Sequence, residues 1–348
     1  MAIDHLPPRP LRGGGLPAQP GVLVGRSAEV RWIRERLRSD GTRLLTLLGP
    51  AGTGKTRLAI EVAGEVADAF PDGVYFVDLS PLRDEALLAS AIAQVLDVRA
   101  QPERPLVDVL KVYLAQRRVL LLLDNFEQLL AAAPVLTDLL QASTALTLLV
   151  TSRAPLHVRW EQEFAVSPLA VPPLTPLPPP AALAGIGSVA LFIQRTQRVD
   201  PRFRLDEINA RAVAEICVRL DGLPLAIELA AARARVLPPQ PMLNRLDRRL
   251  SLLEGGGPDQ PARQRTLRGA IDWSYDLLSG AEQALFRRLG VFTGGFALEA
   301  VPDVCDSGRT LSIEALAGIE SLVDKSLVRQ ERSGIGGQTE RGGYAVAA

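Results

Sequence analysis

Lysine is nearly absent: Lys55, Lys111 and Lys325 are the only three in 348 residues, and arginine carries the remaining positive charge. With abundant Ala, Gly and Pro, this bias matches the codon usage of a high-GC bacterium. Cysteine and histidine are equally scarce, two of each, at Cys217, Cys305, His5 and His157. Two distant cysteines exclude a disulfide framework, and two lone histidines do not make a metal site. A reduced interior with Cys217 buried on a helix is expected. Net charge is missing too: 39 basic residues balance 39 acidic ones, so no global field draws the chain to nucleic acid or anionic membrane. No apolar run is long enough to cross a bilayer, and the opening MAIDHLPPRPLRGGGLPAQPG lacks the basic-then-apolar pattern of a signal peptide. A soluble cytoplasmic protein without membrane contact is expected.

What is present organises into segments. A chain of 348 residues exceeds what one core usually absorbs, so two or three domains are expected. Residues 1–21, rich in Pro and Gly, read as a flexible linker. From 22 to 170 short apolar runs (RLLTLLG, GVYFVDL, VLLLL, LTLLVTS) alternate with helical patterns (KTRLAIEVAGEVADAF, DEALLASAIAQVLDV, PLVDVLKVYLAQ, FEQLLAAAPVLTDLL). The runs are continuously apolar rather than alternating, which predicts strands buried on both faces: an α/β fold with a parallel sheet and helices on each side. Residues 171–187 read as a proline-rich linker, since proline neither donates to a ladder nor continues a helix. Residues 188–255 read as a helical domain, and 256–348 as three helices and a hairpin, the outline of a winged-helix domain that stops as its second strand begins.

GPAGTGKT, residues 49–56, fits G-x-x-x-x-G-K-[ST], follows a predicted strand and opens a predicted helix. Gly49, Gly52 and Gly54 permit the tight turn that aims successive backbone N–H groups of the loop, Thr53 among them, at phosphate oxygens, aided by the helix dipole. Among these residues, proline at position 50 and alanine at 51 (Pro50, Ala51) complete the loop and Arg57 follows it. Lys55 brings a charge to the β and γ phosphates, and Thr56 offers a hydroxyl to Mg2+. The plain alternative, a glycine turn between strand and helix, leaves GKT unexplained. A parallel sheet gathers the C-terminal ends of its strands on one edge, so Asp124, ending VLLLL, can sit near Thr56 and hold Mg2+ directly or through water. A buried strand also ends in Asp simply to start a loop. Arg153, closing TLLVTSR, would emerge on the same edge and could sense a γ phosphate; a solvated loop arginine is the other reading. No N/T-K-x-D guanine loop is present, which favours adenine. LSGAEQ, residues 278–283, follows the Asp strand instead of preceding it as in transporter-type ATPases, and reads as a turn with a helix N-cap at Ser279.

The ordered set LVGR (23–26), GPAGTGKTRLA, LLLLDNFEQLL, LLVTSR, ICVRLDGLPLAIELAAAR (216–233) and LVDKSLV (322–328) resembles the NB-ARC group of STAND signal-transduction ATPases. The likeness is strongest to the ATPase region of bacterial LuxR-type and related transcriptional regulators, over about residues 17–330. The resemblance implies a P-loop NTPase domain, then helical and winged-helix domains, that binds ATP and ADP with Mg2+. It implies that Gly25 and Arg26 line the adenine side, and that Gly222 and Pro224 of GLP close against the nucleotide. It further implies a switch, closed with ADP and opened by ATP, acting on other protein domains or regulators and through nucleotide-dependent self-association. The residues of DGLPLA have a second reading, a Gly helix stop followed by Pro at the first turn of the next helix.

Two departures from the family pattern matter. The residue after Asp124 is Asn125, which can hydrogen-bond water but cannot take its proton; Glu127 is the nearest alternative base. Slow turnover suited to a switch is therefore expected. The family's winged helix continues past the position of GGYAVAA into a motif at the ADP β phosphate, sensor repeats and often a DNA-binding domain, so this chain reads as a core without them. Two other functions compete. One is direct DNA binding, suggested by eight arginines against three acids in residues 232–269 but not favoured, since those arginines can face acidic helices or the nucleotide. The other is a nucleotide-bound scaffold without meaningful hydrolysis.

Overall fold

Strand β3 (Leu120–Asp124) is buried at every position, and the partition of its side chains explains why it has no polar face. Leu121 and Leu123 join one core with Ile92, Leu110, Leu114, Leu136 and Leu139, while Leu120 and Leu122 join another with Ile33, Leu37, Leu58 and Val62. Successive side chains of a strand point to opposite faces, so a strand covered on both sides is apolar throughout. The structure is a computed structural model, and it describes residues 15–19, 21–39, 41–246, 275, 278–292, 295–306, 311–325, 327–331 and 343–346.

The described chain forms two compact units, one containing residues 15–48 and 55–166, the other containing 49–54 and the described residues from 167 onward. In the first unit the elements run α1 (Ser27–Arg38), β1 (Leu44–Leu48), α2 (Lys55–Glu65), β2 (Val74–Asp78), α3 (Leu88–Val95), α4 (Leu106–Leu114), β3, α5 (Ala133–Ala142), β4 (Thr147–Ser152) and β5 (Glu161–Ala165). All five strands are parallel, in the order β2-β3-β4-β1-β5. Helices α1 and α2 contribute to one core and α3, α4 and α5 to the other, so the sheet is covered on both faces. The four apolar runs are β1 to β4. The fifth strand escapes the sequence pattern because it lies at the sheet edge beside β1, where EQEFA is only partly buried. The helix expected from Phe126 onward also differs: two 3-10 turns, Phe126–Gln128 and Leu130–Ala132, precede α5.

The second unit continues with α6 (Pro180–Leu183), α7 (Gly187–Val199), α8 (Ala210–Arg219), α9 (Pro224–Ala231) and α10 (Pro239–Leu243). Cys217 is buried on α8, and burial pushes its thiol up to about 12, as an inert core cysteine requires. After α8 the chain turns through Asp221 and Gly222, both at positive φ, and the Gly222 N–H donates to the Cys217 carbonyl. A Cβ on Gly222 would lie 2.1 Å from the Leu169 carbonyl oxygen, so glycine is demanded by conformation and by space. Further along, α11 (Gly280–Leu289), α12 (Ala300–Cys305) and α13 (Ala315–Asp324) accompany a three-stranded antiparallel sheet, β6 (Phe296–Ala297), β7 (Val328–Glu331) and β8 (Gly343–Val346), in the order β6-β8-β7. Ser279 caps α11 in a reciprocal capping box with Glu282. Burial raises the Glu282 carboxyl, but hydrogen bonds from Lys325, Ser321 and Ser279 outweigh it and hold the group at about 2. Lys325 of LVDKSLV thus has a structural partner. The expected linker at 1–14, most of the arginine-rich stretch from 247 to 269, and the predicted helix TLRGAIDWSYDLL apart from Tyr275 and Leu278 lie outside the described residues.

Candidate functional site

The loop after β1 takes its shape from its glycines: Gly52 and Gly54 have φ of +83° and +90°, values that side chains resist. The Thr53 N–H and hydroxyl both donate to the Pro50 carbonyl, at 3.5 and 3.0 Å, which closes the turn over Ala51. Within the second unit the Gly52 carbonyl accepts from the Leu225 N–H at 3.1 Å, and a Cβ on Gly52 would meet the Leu225 Cβ at 2.8 Å. Pro224, at the first turn of α9, sets up that approach; the residue that touches the loop is its neighbour Leu225, which the sequence did not single out.

Lys55 and Thr56 open α2 in the first unit. The Thr56 hydroxyl donates to Asp124 Oδ1 at 2.7 Å, across 68 residues of sequence. Asp124 is 4% exposed, and its other oxygen is occupied as well: Asn125 Nδ2 donates to Oδ2 at 2.7 Å. Thr151, at the end of β4, completes the arrangement. Its hydroxyl donates to Asp124 Oδ1 at 2.5 Å and accepts from the Asn125 N–H at 3.0 Å, clipping the end of β3 to β4. Thr151 was not among the predicted residues, although a polar residue where the apolar run LLV ends was visible in LLVTSR.

Asn125 commits its side-chain N–H to a neighbour. It sits in the left-handed region with φ 65°, a conformation asparagine tolerates better than most residues, and its amide turns back onto Asp124. The next turn is anchored by Phe126, fully buried, and by Gln128, whose Nε2 donates to the Leu79 carbonyl. Between them Glu127 meets Arg153, with Nε to Oε1 at 3.1 Å and both side chains less than a tenth exposed. Arg153 is therefore a buried, paired arginine and not a solvated loop residue.

These charges perturb one another. Burial raises the Asp124 carboxyl to about 6; the Thr151 and Thr56 hydroxyls oppose the rise, and the charges of Glu127 and Asp78 add to it. Burial lowers the Lys55 ammonium to about 8, with Arg153 lowering it further and Glu127 and Asp124 resisting. Lys55, Thr56, Asp124, Glu127 and Arg153 are thus brought to one sheet edge, as the strand order requires. A hydroxyl and a carboxylate in direct contact are the hard oxygen donors a magnesium ion takes, and a partly dehydrated lysine suits a phosphate. Among the described residues no group of three or more His, Cys, Asp or Glu side chains could hold a metal ion, so a cation here would complete its shell with water or ligand oxygens.

The remaining predicted residues lie elsewhere in the first unit. Gly25 has φ +68°, and Arg26 is buried with its guanidinium 2.8 Å from Glu29. Arg26 also lines a cleft of about 310 Å³ between α1 and α2, together with Leu23, Val30, Arg34 and Glu61. The Arg57 guanidinium donates to the carbonyls of Gly21 and Val22 at 2.8 and 2.9 Å, tying the segment before α1 to α2. No helix among the described residues is long and apolar enough to cross a membrane.

Residues 37–158 match the family model described as an AAA domain. A Mycobacterium tuberculosis protein named as an HTH-type transcriptional regulator is 42% identical over 287 residues, which are 82% of this chain and 31% of that protein. An uncharacterized protein of the same organism is 37% identical over 313 residues, 89% of this chain and 76% of its own length. The regulatory protein AfsR of Streptomyces coelicolor is 30% identical over 360 residues, covering 93% of this chain and 32% of its own. This chain therefore spans about a third of the length of the regulators it matches. A solved STAND protein with a tetratricopeptide repeat sensor, from Pyrococcus horikoshii, aligns with 94% of this chain and 42% of its own at 16% identity and a TM-score of 0.38.

Proposed function

The chain belongs to the AAA/STAND P-loop ATPase family, homologous to HTH-type transcriptional regulators, and on that premise we propose that it is an adenine-nucleotide switch with slow Mg-dependent ATP hydrolysis. The observation that carries the reading is the Thr56–Asp124 hydrogen bond beside Lys55. It joins the first turn of the helix after the glycine loop to the end of β3. In this reading the backbone of Gly49–Gly54 and the Lys55 ammonium hold the phosphates, Thr56 and Asp124 hold Mg2+, and Arg153 answers to the third phosphate. Bound magnesium would supply charge neutralisation at the β and γ phosphates. Gly25 and Arg26 take the adenine side, while Gly222 and Pro224 belong to the helical domain that responds to the nucleotide. The segments are those of the sequence reading: nucleotide-binding domain to about 170, helical domain to about 255, then a winged-helix domain, in a cytoplasmic protein whose partners are other regulatory domains.

Slow turnover follows from the engagement of both side chains that could handle a water. Asn125 turns its amide to Asp124, and Glu127 is paired with Arg153. Asn125 is no base, and Glu127 starts out paired. Mass spectrometry of nucleotide released on denaturing the purified chain, with phosphate release by wild type, Lys55→Ala and Asp124→Ala, tests the reading. Bound adenine nucleotide is expected, with Mg-dependent turnover well below about 10 per second, a typical enzymatic rate, and lost in both variants. Turnover at or above that rate overturns the slow switch. Retained ADP with no turnover at all leaves the scaffold reading in its place.

A further inference from the structure

The Glu127–Arg153 pair is closed off from water and yet incompletely satisfied. Arg153 Nε meets Glu127 Oε1, while Glu127 Oε2 is buried with no hydrogen-bond partner. Buried polar atoms are nearly always bonded, and a half-satisfied buried carboxylate is a poor way to stabilise a fold. Its position offers another explanation. Glu127 lies in a single 3-10 turn whose neighbours on either side are fixed, Phe126 in the core and Gln128 on the Leu79 carbonyl, so the Glu127 side chain can rotate while the turn stays in place. Arg153 directly follows β4. Both charges act on Lys55, which places the pair within electrostatic reach of the lysine at the start of α2.

We propose that Glu127 holds Arg153 in the nucleotide-free chain, and that this ion pair must open before Arg153 can bind a third phosphate, making Glu127 a positioning residue that sets discrimination between nucleoside triphosphate and diphosphate. The inference rests on the reading of this sheet edge as a nucleotide site. A guanidinium removed from water needs a counter-ion, and here a carboxylate and a γ phosphate compete for it. The free energy of the pair is subtracted from triphosphate binding. A diphosphate makes no claim on Arg153, so its affinity is unaffected.

The test measures dissociation constants of Mg-ATPγS and Mg-ADP for wild type, Glu127→Gln, Arg153→Met and the double variant. Glu127→Gln keeps the shape and removes the competing charge, and it should tighten ATPγS about tenfold while ADP stays within about twofold, a modest share of what close charge pairs are worth when desolvated. Arg153→Met should remove the preference for triphosphate, and the double variant should behave like Arg153→Met alone, because without the arginine the glutamate has nothing to withhold. A structural role for the pair would weaken both nucleotides together. Glu127→Asp, which keeps the charge and draws it back by one methylene, should move the ratio in the same direction by a smaller factor, and it serves if Glu127→Gln does not fold. An unchanged ratio in the Glu127 variants, with Arg153→Met still losing the preference, overturns the latch and leaves phosphate sensing intact. An unchanged ratio in Arg153→Met overturns the sensing reading and the latch with it.

Discussion

Asp124 answers to opposing demands, since the position proposed to serve a cation is a costly place for a carboxylate without one. Its folded value of about 6 lies above the ordinary 3.8, so between those pH values the folded chain keeps a proton that the unfolded chain releases. The protonated group contributes its stability below about pH 4, and that contribution is lost as pH rises through about 6. At higher pH the ionised Asp124 lowers the stability of the ligand-free chain. Asp124→Asn should therefore stabilise the ligand-free chain by about 1–3 kcal/mol at about pH 7.5, and by much less at about pH 4, while abolishing any effect of Mg2+ on nucleotide affinity. Urea denaturation at the two pH values checks it. A destabilised variant at the higher pH would mean that the Thr56, Thr151 and Asn125 hydrogen bonds outweigh the burial of charge. Those three partners were only partly legible beforehand: Thr56 came from the phosphate-loop pattern, whereas the contribution of Thr151 depends on β4 lying next to β3, which no local pattern reveals.

At the scale of elements, periodicity predicted one helix after Asp124 where the chain has two 3-10 turns and then a helix. The apolar spacing of FEQLLAAAPVLTDLL is genuine, but Asn125 in the left-handed region breaks the run-in, and Pro134 sits in the first turn of the helix that follows. The result holds Glu127 in a short turn facing Arg153. The link from α8 to α9 shows the converse, a local signal whose reason is tertiary. Gly222 ends a helix as its sequence suggests, and it also has no room for a side chain beside Leu169. Gly222→Ala should cost about 2 kcal/mol or more, combining a positive-φ penalty with a backbone clash. A fall in the urea midpoint of the second unit, followed by the reactivity of the buried Cys217 thiol, measures it. A loss of only a few tenths would show that the 167–171 segment shifts aside at little cost.

At the scale of the whole molecule, a nucleotide that binds the folded chain alone must stabilise it by mass action. Mg-ADP at a hundred times its dissociation constant should raise unfolding free energy by about 2.7 kcal/mol, and Lys55→Ala should remove that gain; thermal melts with and without ligand read it directly. An equal gain in the variant would place the nucleotide away from Lys55. Much of the first unit was determined by the sequence alone. Four continuously apolar runs demand burial on both faces and hence a parallel sheet, and GKT after a strand points to the proposed phosphate site, because both are short-range consequences of hydrophobicity and backbone conformation. The fifth strand was hidden, since an edge position asks for no distinctive pattern. Only the tertiary structure decided the partners: Thr151 on Asp124, the Asn125 amide on Asp124, Leu225 on Gly52 and Arg153 against Glu127. Each depends on which strand or helix lies beside which, and on where a buried charge finds its counter-charge, and the residues themselves carry no record of that neighbour.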